Sequence, residues 1–190
     1  MGLLSLLFGC GNSDESAYYK KGGKWFYAGV QIYAETAPVN FNSLNKTFAR
    51  DDRTGYYRET PIKDSDGASF EALRENDAKD RAHVYYCDTS RDSKKYWSIK
   101  RKRIVKVSQA DPATYRLIGS DFARDKASVF YSGQLFNVED VESFAVLDYG
   151  FTKDRVRAYH ILVEIPHSDG ATFVALNMNY AKDKSRVGNG

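Results

Sequence analysis

Several residue types are scarce in this 190-residue chain, and each scarcity excludes a class of protein. Two cysteines, Cys10 and Cys87, are too few for the disulfide framework of a small secreted scaffold. No apolar run reaches the roughly 18 residues that a membrane-spanning helix needs. The net charge of +3 is too small to indicate a nucleic-acid partner by itself. The remaining class is a globular or repetitive protein.

Tyrosine and phenylalanine are abundant by contrast, with 14 Tyr and 11 Phe against two Trp, two Met and four Pro. Apolar residues make up 42% of the chain and charged residues 28%, which is typical of a folded protein rather than a disordered one. Most of the aromatic residues recur at fixed distances from one another. The chain is therefore expected to contain internal repeats.

The repeated phrase is a basic residue followed by aspartate, a few residues ahead of paired aromatics. Three separations between successive aspartates are 29 residues, and that from Asp80 to Asp125 is 16 residues longer. An aromatic residue precedes most of these aspartates by three positions, with Asp77 as the exception. Counting 29 residues back from the first aspartate reaches Gly22, which predicts a degenerate first copy with Tyr19 as its aromatic. The repeated aspartates are Asp51, Asp80, Asp125, Asp154 and Asp183.

Each copy contains signals for a turn and for short strands. The aspartate is a turn residue, and the aromatic and β-branched residues after it favour a strand. Residues 131–134 predict a hairpin turn, and Asp111-Pro112 predicts a single helical turn. We predict a mainly β fold, a tandem array of about five 29-residue hairpin-and-turn repeats plus a terminal part-copy, open or closed into a ring. Residues 1–17 would be an N-terminal apolar or linker segment, and residues 18–190 one repeat domain.

The sequence does not favour catalysis. Catalytic residues are normally unique, whereas the Lys/Arg-Asp pairs recur at one position of five copies, which indicates turn-forming and ion-pairing roles. The three histidines lack the spacing of metal ligands, and there is no glycine-rich phosphate loop. We predict no enzyme activity, no catalytic or metal-binding residues and no cofactor. The histidines are His83, His160 and His167.

A basic insertion breaks the repeat at about residues 87–102. Repeat proteins often place insertions on their binding face, and basic side chains interleaved with aromatics suit an acidic protein surface or a nucleic-acid backbone. A long hairpin with solvated charges is the alternative. A protein partner with an acidic patch is favoured over nucleic acid, because aromatics and Arg dominate interface hot spots. The candidate partner-binding residues are Lys94, Lys95, Tyr96, Trp97, Lys100, Arg101, Lys102 and Arg103.

The phrase Lys/Arg-Asp-x-x-x-x-Tyr-Tyr resembles the DKNYY repeat family of bacterial proteins over residues 21–187. Two copies depart from it, with Phe130 in place of the first Tyr and His160 in place of the second. The resemblance implies no enzymatic activity. Some members look like neighbours of polymorphic toxins, including type VI secretion effectors, which implies an immunity protein that neutralises a cognate toxin. Other members look like exported proteins, which implies an envelope lipoprotein or structural protein instead.

The N-terminus leaves the compartment open. Gly9-Cys10 matches the end of a bacterial lipoprotein signal, but no basic residue precedes the short apolar stretch. The alternative to a lipoprotein signal is a short apolar segment that packs on the domain or is frayed. We expect a cytoplasmic protein; the alternative is a periplasmic or envelope lipoprotein that contacts the membrane only through a lipidated Cys10.

Overall fold

The computed structural model describes residues 17–34, 37–90, 101–184 and 187–189. Within these ranges the chain is all β, with 22 strands arranged in six separate antiparallel sheets. The predicted mainly β repeat array is therefore confirmed. The described ranges contain no helix of sufficient length and hydropathy to cross a bilayer.

Each sheet is a meander in which strands follow chain order. Sheets 1 to 3 comprise β1 (Tyr18–Lys21), β2 (Lys24–Tyr27) and β3 (Val30–Gln31); β4 (Asn42–Ser43), β5 (Phe48–Arg50), β6 (Gly55–Tyr57) and β7 (Thr60–Pro61); and β8 (Glu71–Ala72), β9 (Asp77–Lys79), β10 (Val84–Ser90) and β11 (Arg101–Lys106). Sheets 4 to 6 comprise β12 (Arg116–Gly119), β13 (Phe122–Arg124), β14 (Val129–Tyr131) and β15 (Gln134–Phe136); β16 (Ala145–Val146), β17 (Phe151–Lys153), β18 (Ala158–His160) and β19 (Val163–Glu164); and β20 (Val174–Ala175), β21 (Tyr180–Lys182) and β22 (Val187–Asn189).

A complete sheet has four strands, one of which belongs to a different sequence repeat from the other three. The additional strand comes from the end of the preceding sequence repeat: Glu71 and Ala72 pair with Lys79 and Ala78 of the next copy. Sheet boundaries therefore do not coincide with the boundaries of the sequence repeat. At residue 111 the structure forms a single hydrogen-bonded turn, in which the Tyr115 N–H donates to the Asp111 carbonyl at 2.9 Å.

The first copy is offset by one residue from the predicted register. Tyr18 pairs with Tyr27, as Phe48 pairs with Tyr57, so Tyr18 and not Tyr19 is the repeated aromatic. Tyr18 is buried, whereas Tyr19 is 42% exposed and stacks on Phe26 at a centroid distance of 5.4 Å. A one-residue slip moves a side chain to the opposite face of a strand, which explains why Tyr19 points away from the core.

The 16-residue insertion lengthens one hairpin. Tyr56 pairs with Pro61 in sheet 2, and the equivalent Tyr85 pairs with Lys106 in sheet 3. The added residues therefore include the lengthened ends of β10 and β11 as well as the stretch that joins them, on the side where other sheets have a two-residue turn.

Aromatic side chains bury the sheets against one another. Successive side chains of a strand point to opposite faces, so one strand contacts both neighbouring sheets. In β5, Phe48 packs in a cluster with Ala78 and Tyr85 of sheet 3, whereas Ala49 packs with Tyr18 of sheet 1. Five such clusters each join two consecutive sheets. The 29-residue period is thus the length of chain needed to build one layer of a stack, and no layer has a core of its own.

Candidate functional site

The repeated aspartates have a structural role. Oδ1 of Asp154 accepts hydrogen bonds from the backbone N–H groups of Val156 and Arg157, both at 2.7 Å. The side chain thereby closes the turn between two strands, as the sequence predicts. The same pair of bonds forms at Asp51, Asp80 and Asp125.

The second carboxylate oxygen of four repeated aspartates links a layer to the one before it. Oδ2 of Asp154 accepts from the Tyr159 hydroxyl at 3.0 Å and from the Asp140 N–H at 3.2 Å. Asp140 belongs to the loop that leaves the preceding copy, so this bond joins two layers. Equivalent bonds run from Asp66 to Asp80, from Asp111 to Asp125 and from Asp169 to Asp183.

A second set of aspartates forms an ion-pair staple on the same edge of the array. Oδ2 of Asp140 accepts from the Ser143 hydroxyl at 2.7 Å and pairs with Arg155 at 3.2 Å. The Ser143 hydroxyl also accepts from the Arg155 N–H at 2.7 Å. The hydrogen bond from Ser143, followed by the charge of Arg155, holds the pKa of Asp140 below its usual value. The same staple is built by Asp66 with Arg81, by Asp111 with Lys126 and by Asp169 with Lys184.

The basic residue before each aspartate caps carbonyl groups. Arg50 donates to the Ala68 carbonyl at 2.9 Å, and Arg124 donates to the Glu142 carbonyl at 2.7 Å. The staples instead use the basic residue after the aspartate, such as Arg155. The repeated Lys/Arg-Asp pair is therefore a framework unit in which each member binds its own set of backbone groups.

Sheet 3 carries a polar replacement for the repeated aromatic. Asp77 is fully buried, and Arg74 Nε donates to it at 2.5 Å. Burial raises the pKa of Asp77, although Arg74 opposes this shift. Arg74 also hydrogen-bonds to the Ser120 carbonyl of sheet 4, so this pair takes over part of the interlayer contact. Cys87 is buried nearby, and its burial raises the pKa of the thiol.

The edge of the array opposite the aspartate clamps and staples carries the residues that do not repeat. The turns between the first and second strands of a sheet lie beside the turns between its third and fourth strands. Backbone bonds join them: Arg58 N–H to the Thr47 carbonyl at 2.7 Å, and Ile161 N–H to the Gly150 carbonyl at 3.1 Å. We call this side the tip edge; it consists of turns 28–29, 45–47, 58–59, 119–121, 132–133, 148–150 and 161–162 and the described outer ends of β10 and β11.

The basic hairpin lies in the middle of the tip edge, and two of its predicted binding residues have partners within the chain. Lys102 pairs with Glu59 of sheet 2. Arg103 pairs with Asp88 at 2.9 Å and lies 5.3 Å from the centre of the Tyr86 ring. Arg101 is exposed and has no ion pair with any described residue. The other predicted residues, Lys94, Lys95, Tyr96, Trp97 and Lys100, lie outside the described part of the chain.

An apolar tip on sheet 5 was not found by sequence reasoning. Ile161 and Leu162 form the turn between β18 and β19, with φ angles of 46° and 68°. Ile161 is 70% exposed and the adjacent Val163 is 68% exposed. Tyr149 is also exposed, in the neighbouring turn. Alignment of the copies gives the missing signal, because the same turn is Ala28–Gly29 in sheet 1 and Ser132–Gly133 in sheet 4.

Exposed apolar side chains concentrate toward the end of the chain. Of the fourteen large apolar side chains that are exposed in the described ranges, nine lie between Tyr149 and Tyr180. Four of the nine, Tyr149, Ile161, Leu162 and Val163, lie in or next to the neighbouring turns of sheet 5, and an exposed apolar patch is typical of an interaction site. Across the described ranges, no three His, Cys, Asp or Glu side chains are grouped so that they could hold a metal ion.

These features define a class, the stacked-sheet repeat protein whose layers are joined by aspartate clamps. The model of the DKNYY family matches residues 18–162, and the chain belongs to that family. The resemblance drawn from the repeated phrase is thus confirmed. A search of curated proteins and a search of solved structures each gave no significant match. The family model ends at residue 162, although the repeat architecture continues through β21.

Proposed function

We propose that this protein is a non-catalytic binding protein that presents its tip edge to another protein. One observation carries the proposal: the two edges of the array differ in their content. The edge opposite the tip edge consists of aspartate clamps and staples that recur from layer to layer. The tip edge holds the basic hairpin and the apolar turn at Ile161 and Leu162, each of which occurs once.

Residues that build the scaffold are expected to recur in every layer, whereas residues that recognise a partner are not. Every layer needs the same turn and the same staple, so those residues are explained by folding alone. Neither the inserted hairpin nor an apolar turn is needed to build a layer, since the remaining layers form without them. Insertions of repeat proteins commonly lie on the binding face.

The most specific form of the proposal is an immunity protein that neutralises a cognate bacterial toxin or secretion-system effector by covering its active site. Its support is family membership together with a surface suited to another protein. The basic hairpin favours a target with an acidic patch. The test is co-expression with the product of the adjacent reading frame: survival of cells that the product alone kills supports this function, and killing despite a purified, folded chain contradicts it.

Charge reversal at the hairpin tests the surface itself. Arg101→Glu changes an exposed charge without breaking an ion pair to a described residue, so it should weaken binding to the purified adjacent gene product at least tenfold. Arg103→Glu also breaks the pair with Asp88 and should lower the melting temperature as well. Lys63→Glu, at an exposed position beside the Asp51 turn on the opposite edge and without an ion pair to a described residue, is the matched control for net charge. Equal affinity of Arg101→Glu and wild type would remove the hairpin from the binding surface.

The compartment is a separate proposal. We expect the protein in the cytoplasm, and a lipoprotein anchored through Cys10 in the envelope is the competing possibility, because Gly9-Cys10 ends a short apolar run. Fractionation of wild type and Cys10→Ala separates the two. Membrane retention that the substitution abolishes would favour the envelope protein, and recovery of both proteins in the soluble fraction would favour the cytoplasmic one.

A further inference from the structure

We infer that the Ile161–Leu162 turn is the anchor of the binding surface and inserts into an apolar pocket of the partner protein, bordered by cationic side chains. This inference rests on the proposed function and deepens it. It adds a second contact, distinct from the basic hairpin, to the same tip edge.

The turn has a backbone conformation that is unfavourable for its two residues. His160 pairs with Val163, so Ile161 and Leu162 are the two residues of a tight hairpin loop. Both have positive φ angles, a conformation for which Gly, Asn or Asp is normally required. A β-branched residue at such an angle is a true outlier in proteins. Two equivalent turns contain Gly29 and Gly133 at their second position, and the turn of sheet 2 is Arg58–Glu59, so the fold does not require apolar residues there.

The two side chains of the turn are exposed, and contacts within this chain do not compensate for that exposure. Ile161 is 70% exposed and Leu162 is 40% exposed, so neither gains its full burial energy from this chain. The turn is held in place from below, because Phe151 stacks on His160 at 4.4 Å and Ile161 N–H bonds to the Gly150 carbonyl. A rigid, protruding pair of apolar side chains fits a concave apolar surface and loses little conformational entropy when it binds.

The charged residues around the turn favour a protein pocket over a lipid surface as its binding partner. Asp148 lies in the adjoining turn, is exposed and forms no ion pair with a described residue. Glu164 follows Val163 and is paired with Arg157 at 3.1 Å. Carboxylates beside an apolar tip are repelled by anionic bilayers. They complement a pocket whose rim carries Lys or Arg.

The test uses a substitution that favours the fold and removes the anchor. Ile161→Asn combined with Leu162→Gly gives the residues that this turn geometry prefers. The double variant should have a higher melting temperature than wild type and should bind the partner at least tenfold more weakly. A merely structural role for the pair would instead lower the melting temperature. Val156→Ser, which removes an exposed apolar side chain from the opposite edge, is the matched control and should bind like wild type.

The partner is identified with a photo-crosslinking amino acid at position 162, with position 171 on the opposite edge as control, in cells of the native host. The cross-linked protein is then purified, and its affinity for wild type and variants is measured by calorimetry. Binding that the double variant retains overturns the anchor and leaves the proposed function intact. No measurable binding by wild type overturns both. Tip-dependent flotation with phosphatidylethanolamine and phosphatidylglycerol vesicles, or a tip-dependent dimer in sedimentation, also overturns the inference.

Discussion

The Tyr159 hydroxyl donates a hydrogen bond to Oδ2 of Asp154 at 3.0 Å, and both side chains are buried. Burial, together with the neighbouring carboxylate, raises the pKa of Tyr159, so the hydroxyl remains protonated and continues to donate. Tyr56 and Tyr85 make the same bond to Asp51 and Asp80. Sheet 4 lacks it, because Phe130 occupies the tyrosine position.

This difference predicts opposite effects for two conservative substitutions. Phe130→Tyr should stabilise the protein by about 1 kcal/mol, because the new hydroxyl can reach Oδ2 of Asp125. Tyr159→Phe should destabilise it by about 1–2 kcal/mol, because a buried carboxylate loses a donor. Chemical denaturation measures both. A Phe130→Tyr variant less stable than wild type would show that sheet 4 has no room for the hydroxyl.

Gly67 should not tolerate a side chain. A Cβ atom there would lie 2.3 Å from the Asp51 carbonyl oxygen and from the Thr54 nitrogen, both of which are backbone atoms. Gly67→Ala should therefore destabilise the protein by about 1–3 kcal/mol, the range for overpacking. Ala68→Ser, at the exposed next position, should lie within about 0.5 kcal/mol of wild type. Equal thermal stability of the two variants would contradict the close approach of these backbone atoms to Gly67.

The aspartate staples predict loss of stability in acid. Folding lowers the pKa values of Asp66, Asp111, Asp140 and Asp169, in each case mainly through a hydrogen bond from a Ser or Thr hydroxyl. The resulting stabilisation is complete above the pKa of an unfolded aspartate, about 3.9, and is lost as the pH falls through the lower folded values. Asp77 acts in the opposite direction, because folding raises its pKa.

Because four staples oppose one buried aspartate, the melting temperature should fall between pH 5 and pH 3. Asp140→Asn should reduce this fall, since one of the carboxyl groups whose pKa folding lowers is gone. Asp148→Asn, in an exposed turn outside the staples, should show the same pH dependence as wild type. A melting temperature that is unchanged or higher at pH 3 would mean that the staples do not contribute to stability.

Cys87 should be unreactive in the folded protein. Its side chain is fully buried, and its raised pKa leaves little thiolate at neutral pH. In a Cys10→Ala background, a disulfide-exchange reagent should therefore modify Cys87 only as fast as the protein opens. Denaturant should increase the rate by orders of magnitude. Rapid modification under native conditions would show that the core between sheets 2 and 3 is accessible.

Much of the scaffold could be predicted from sequence. The five repeated aspartates together with the degenerate copy at Gly22 give the six layers, and paired aromatics give their β character. Register in the first copy could not be predicted, because Gly22 and the neighbouring lysines do not show which tyrosine faces the core. Pairing between β1 and β2 decides that Tyr18 does.

Only part of the candidate site could be predicted from the sequence. The basic insertion is conspicuous as a break in the repeat, and the sequence predicts its location. Its charges gave no sign that Lys102 and Arg103 have partners in Glu59 and Asp88, which are distant from them in the chain. The apolar turn at Ile161 and Leu162 was missed, because two aliphatic residues between strands look like further strand.

The sequence by itself determined the period of the array, its β-rich character and its family. These properties are local or periodic: a turn aspartate bonds its own neighbours, and an aromatic recurs wherever a layer needs one. Only the tertiary structure decided that the aspartates also clamp one layer to the next, and that the unique residues share the opposite edge. Both facts depend on how layers stack, which brings together atoms that are far apart in the chain and carry no mark of their partners in the sequence.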